Sequence, residues 1–179
     1  MARQYLQDGP FIDPPVASGA ALVATTIEDL WLGLTFTPVF ASDPKAGKIY
    51  VVEAGGIMST AAAASTLTIT PFYGGAAGVA LGASVAQTVP ASLTAVPWYL
   101  RFVLVFRTIG PAGANSTCIG TGMLQSAGTA ATAGTDLGLT FGGTSASVDA
   151  TVNKDIHIRK TLSAAGSMTM QYAYISSMN

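Results

Sequence analysis

From residue 30 onward, apolar and polar side chains alternate with a period of two. This is the mark of strands with one face buried and the other exposed. Leu32, Leu34 and Phe36 share one face of the first such segment, with Gly33, Thr35 and Thr37 opposite. Ile49, Val51 and Glu53 alternate with Tyr50, Val52 and Ala54, and Thr66, Thr68 and Thr70 alternate with Leu67 and Ile69. The longest segment runs from Trp98 to Thr108. Its even positions, Trp98, Leu100, Phe102, Leu104 and Phe106, form an unbroken apolar stripe, which predicts a central strand with that face on the core. The pattern returns at Thr117–Leu124, at 137–141 and at Ile156–Arg159. In the last segment Met168, Met170, Tyr172 and Tyr174 fall on one face, with Thr169, Gln171 and Ala173 on the other.

Turn residues separate these segments: Gly55–Gly56, Gly74–Gly75, Gly110–Pro111, Gly142–Gly143 and Ala164–Gly166. No ten-residue stretch has helical periodicity, and Ala61–Ala64 is too short to nucleate a helix. About eight strands without helical crossovers predict an all-β, antiparallel β-sandwich, jelly-roll-like. The Cys–Trp–Cys pattern of antibody-like domains is absent. Residues 1–29 read instead as an extended N-terminal arm preceding a sandwich domain of residues 30–179. Asp8–Gly9–Pro10 is a turn, and Asp13–Pro14–Pro15 enforces an extended path. Phe11, Ile12, Pro14 and Pro15 are the expected contacts of that arm with a neighbouring subunit.

Composition turns this fold into an expectation about function. Of 179 residues, 9% are charged and 50% hydrophobic, and the mean hydropathy is +0.48. A soluble domain ordinarily carries about 25% charge, so much of this surface is expected to be covered by partners. The longest apolar run, Tyr99–Phe106, is interrupted by Arg101 and is far short of the ~18 residues of a spanning helix. Aromatic residues, at 8% and clustered, do not form the girdles of a membrane barrel. No membrane partner is expected. A net charge of −1 with scattered Arg and Lys gives no footprint for nucleic acid. Two long, nearly uncharged stretches, 76–97 and 125–135, are expected at contacts between subunits.

Candidate chemistry is sparse. His157 is the only histidine, and Asp155 shares its strand face at i−2. This acid–base pair has no Gly-x-Ser-x-Gly elbow beside it. Cys118, the only cysteine, is expected as a small buried apolar residue. Neither a metal set, a phosphate loop nor a marked carboxylate pair is present. The expectation is a non-enzyme with no cofactor. An aromatic, sugar-binding platform would draw on Phe72, Tyr73, Trp98 and Tyr99, with Trp98 expected in the core and Tyr73 nearer the surface.

A further reading comes from short motifs along residues 30–179. They are Leu30–Trp31 with Thr35–Pro38, Lys45–Tyr50, Glu53–Ile57, Leu81–Ser84, Pro97–Leu100, Arg107–Gly110, Gly120–Gly122 and the closing Ser176–Asn179. In this order they resemble small β-sandwich virion proteins of tailed bacteriophages. The resemblance implies a structural virion protein, assembled in the host cytoplasm. Such proteins occur among head-decoration, head-fibre and tail components; the leading expectation is a capsid decoration or cement protein that binds the major capsid protein as a homo-oligomer, a trimer by that analogy, and stabilises the shell. A tail or fibre component, or a host-glycan-binding head, is the alternative. The resemblance implies no catalytic residue.

Overall fold

The computed structural model describes residues 27–31, 39, 41, 43–74, 77–126 and 137–178. The described chain is an all-β sandwich of two antiparallel sheets. The front sheet has the order β10-β2-β6-β7-β8, formed by Gly166–Met178, Ile49–Thr60, Val96–Thr108, Ser116–Ser126 and Leu137–Val148. The back sheet has the order β1-β9-β3-β4, from Glu28–Asp29, Ile156–Leu162, Ser65–Tyr73 and Val79–Ala80. The short strand β5, Gln87–Val89, also pairs with β3. The expected arm contacts Phe11, Ile12, Pro14 and Pro15, the strand face of Leu32, Leu34 and Phe36, and residues 127–135 of the second uncharged stretch lie outside the described residues.

The central strand follows directly from its sequence. β6 is the middle strand of the front sheet, and Trp98, Leu100, Phe102, Leu104 and Phe106 are all buried on its inner face. Ile69, Ile156, Ile158 and Leu162 of the back sheet supply the facing layer of the same core. The phenyl rings of Phe102 and Phe141 stack with centroids 6.0 Å apart. Glycine makes room for this packing at Gly120, where an added Cβ would meet the Phe102 ring at 2.3 Å.

Several readings change. Gly55–Gly56 and Gly142–Gly143, expected as turns between strands, lie inside β2 and β8, where close backbone approach and a break in register use them. The stretch between β3 and β6 is not an uncharged loop free for contacts along its whole length. Leu81, Val89 and Leu93 enter the core, and Ser84 exchanges two hydrogen bonds with Ile69. This segment closes the side of the sandwich, and Gly142 of β8 donates to the Gly82 carbonyl. In β10, Met168 and Met170 face inward as expected, but Tyr172 and Tyr174 do not share their face. A β-bulge between Met170 and Tyr172 leaves Gln171 without a partner on β2 and reverses the alternation. Ala173 and Ile175 are buried beyond it, and the tyrosines point outward.

Phe102→Ala is expected to cost about 3–5 kcal/mol, because it empties a site walled by two sheets. Equilibrium urea unfolding should show a lowered midpoint with little change in slope.

Candidate functional site

Two features stand out once the sheets are placed. One is a charged clasp on the back sheet, and the other is the outer face of the front sheet.

The clasp gathers the start of the described chain onto β9. Glu28 and Asp29 form β1, paired with Lys160 and Arg159. The Leu30 amide donates to the Ile158 carbonyl, and the Trp31 indole Nε1–H donates to Ile156 O at 3.0 Å. Residues 28–29 are therefore part of the sandwich sheet. Lys160 lies on the inner side of β9 with 0% exposure, and its Nζ meets Glu28 Oε2 at 2.5 Å. A second buried lysine, Lys48, donates to Asp43 Oδ1 at 2.8 Å, and the Tyr50 hydroxyl donates to Asp43 Oδ2 at 2.6 Å. Partial burial alone would raise the Asp43 pKa; hydrogen bonds from Lys48 and Tyr50 outweigh it and hold it below the ordinary carboxylate value.

The expected Asp155–His157 pair exists, and a partner that sequence reasoning missed completes it. His157 Nδ1 is hydrogen-bonded to Asp29, while Nε2 stands 3.7 Å from Asp155 Oδ2. Burial of the ring lowers its pKa. The hydrogen bond and charge of Asp29, followed by the charge of Asp155, more than reverse this and raise the pKa. A general base in a serine-type triad keeps one ring nitrogen for an acid and turns the other to the nucleophile. Here both nitrogens face carboxylates, so the cluster is built to hold a cation between two strands. Among the described residues no group of three or more His, Cys, Asp or Glu is arranged to hold a metal ion. Cys118 is buried in the core, and burial pushes its thiol up to about 12.

The proposed aromatic platform does not assemble. Trp98 is core, its Nε1–H donating to Ile57 O. Tyr73, expected nearer the surface, is 2% exposed and packs edge-on against Phe106. It sits on the inner face of β3, and Phe72 sits on the outer face of the same sheet, under the Arg159 guanidinium. Only Tyr99 reaches the outer face of the front sheet.

That outer face is the larger feature. Across β10, β2, β6 and β7 its rows read Tyr172, Gly55, Tyr99, Gln125; then Tyr174, Glu53, Arg101, Met123; then Ser176, Val51, Val103, Thr121; then Met178, Ile49, Val105, Ile119. Its only charges in these rows are Glu53 and Arg101, directly opposite each other at 3.3 Å. Burial and the neighbouring Glu53 carboxylate raise the pKa of the Tyr99 hydroxyl. Tyr172, Tyr174, Met123 and Met178 stay exposed, at 42%, 38%, 44% and 44%. The Tyr172 ring lies over Gly55, where a Cβ would meet it at 2.5 Å, and so levels the step that the glycine leaves. An open groove of about 510 Å³ runs beside Arg101, lined by Val103, Thr121, Met123, Thr140 and Gly142.

Comparison with protein families, with curated proteins and with solved structures returns no match. The chemistry of the faces themselves therefore bears the functional reading.

Two outcomes follow for the clasp. Glu28→Ala strips the carboxylate from a fully buried ammonium and is expected to cost roughly 3–5 kcal/mol in chemical denaturation. For His157 the folded pKa is raised, so its stabilisation is complete below the unfolded value of about 6.5 and is lost as pH rises through the folded value. Urea midpoints should fall across that interval, and His157→Gln should flatten the slope.

Proposed function

We propose that this protein is a structural virion subunit, a capsid decoration protein that works as an oligomer on the outer shell. The observation that carries the reading is the outer face of the front sheet. It exposes two tyrosines and two methionines around a single ion pair, in a chain with 9% charged residues. A contiguous apolar face of this size marks a surface that is covered in use. The placement on a virion rests on the resemblance of residues 30–179 to phage β-sandwich proteins. In this reading the major capsid protein is met by the N-terminal arm, and the sandwich stands on the shell and braces neighbouring subunits by burying apolar area.

A host-glycan-binding head is the second reading. Tyr99, Tyr172 and Tyr174 beside Glu53 and Arg101 favour it, since aromatic faces with adjacent hydrogen-bonding groups suit sugar rings. A glycan array probed with the purified protein distinguishes it.

The clasp fixes where a truncation must be made. Removing residues 1–26 spares Ile27, Glu28 and Asp29, so the Lys160–Glu28 and His157–Asp29 contacts are retained. The truncated protein is expected to fold, checked by circular dichroism, and to lose binding to purified particles. Full occupancy on particles, seen by quantitative gel or electron microscopy, would refute the role given to the arm.

A further inference from the structure

The proposed function leaves open what covers the front-sheet face. We infer that a second copy of this chain covers it, face to face, about a twofold axis that runs parallel to the strands between β2 and β6. This deepens the assembly reading and rests on it.

Such an axis lays β2 of one copy over β6 of the other and β10 over β7, keeping each row at its own level. A closed twofold interface must be self-complementary, because the same patch serves both sides. The rows meet that condition. Glu53 meets the partner's Arg101, and Arg101 meets the partner's Glu53, so the one ion pair of the face becomes a four-membered alternation of charge. Tyr174 meets the partner's Met123, a favourable sulfur–aromatic contact. Ser176 meets the partner's Thr121, and Met178 meets the partner's Ile119. Ile49 meets the partner's Val105, and the partner's Val103 lies over Val51, which is already buried within its own chain. Apolar faces apolar, hydroxyl faces hydroxyl, and acid faces base in each of these rows. An axis centred on β6 would instead set Arg101 against the partner's Arg101. Like charges in a desolvated contact disfavour that register.

The face is that of a small interface. The four strands pair together over about eight residues, Trp98–Val105 on β6, or ~27 Å, which at ~4.8 Å spacing is roughly 520 Å² of flat sheet face. That places the contact below the standard ~800 Å² per partner, at the weaker end of specific association. Aligned packing of two sheets, about 30° apart, keeps the central rows in register.

The test uses full-length purified protein. Sedimentation equilibrium is expected to give the mass of two chains. Arg101→Glu should weaken dimerisation at least tenfold, since each Glu53 then faces a like charge, and Glu53→Arg with Arg101→Glu should restore it. Circular dichroism melts check that each variant is folded. A second measurement is independent of charge. Tyr174 and Met123 lie three strand spacings apart, about 14 Å in one chain. Tyr174→Cys combined with Met123→Cys is therefore expected to give a covalent dimer with a short bifunctional thiol reagent, which bridges the ~10 Å between packed sheets but not the two sites of one chain, with Cys118 buried and silent. A monomeric mass, a mass of three chains, or absence of the cross-linked dimer overturns the inference. A monomer that still decorates particles would remove the twofold while leaving the virion role intact.

Discussion

Burial of the even-numbered face of β6 sets the geometry of everything else. Trp98, Leu100, Phe102, Leu104 and Phe106 are each almost wholly withdrawn from water. Because side chains along a strand alternate, that burial commits Tyr99, Arg101, Val103 and Val105 to the opposite side. β2 and β7 are held to β6 in fixed antiparallel register, so their own parity follows. One apolar stripe thus decides both which residues make the core and which make the exposed face.

What could be read in advance tracks how local the determining interaction is. The strands that became β2, β3, β6, β7, β8, β9 and β10 announce themselves by alternation within a few residues. β10 shows the limit. Its alternation Met168, Met170, Tyr172, Tyr174 is uninterrupted in sequence, and only pairing with β2, where Gly55 and Gly56 accommodate the bulge, splits it into an inward and an outward half. β1 has two residues and no periodicity to detect. Asp29 stands 128 residues from His157, so no spacing rule links them, although the Asp155–His157 pair was visible at i, i+2. Tyr73 was misjudged because the neighbouring glycines suggested a turn, whereas the strand continues through it with an inward side chain.

Two lysines inside a sandwich with few charges are a further departure from a simple apolar core. Taking an ammonium out of water costs several kcal/mol, offset only where a carboxylate and additional hydrogen bonds meet it. Lys160 meets Glu28, and Lys48 meets Asp43, itself tied to Tyr50. Each pair fastens a segment that precedes the first long strand: residues 28–29 in one case, and the approach to β2 in the other. Buried pairing of this kind is best understood as directional. It tells a short segment where to dock when it has too little apolar surface to be placed by packing.

The clasp also has a mechanical meaning. β1 is two residues long, so its backbone ladder to β9 is brief. Tension applied through the residues ahead of Ile27 would enter the fold there and pass into β9 and then β3, the strand pair at the middle of the back sheet. Resistance at the entry point would come from side chains, namely the Lys160–Glu28 pair, the His157–Asp29 contact and the Trp31 indole anchored on Ile156. A pull entering at Ile27 would therefore be met first by side chains on β9 and only then by the backbone ladder.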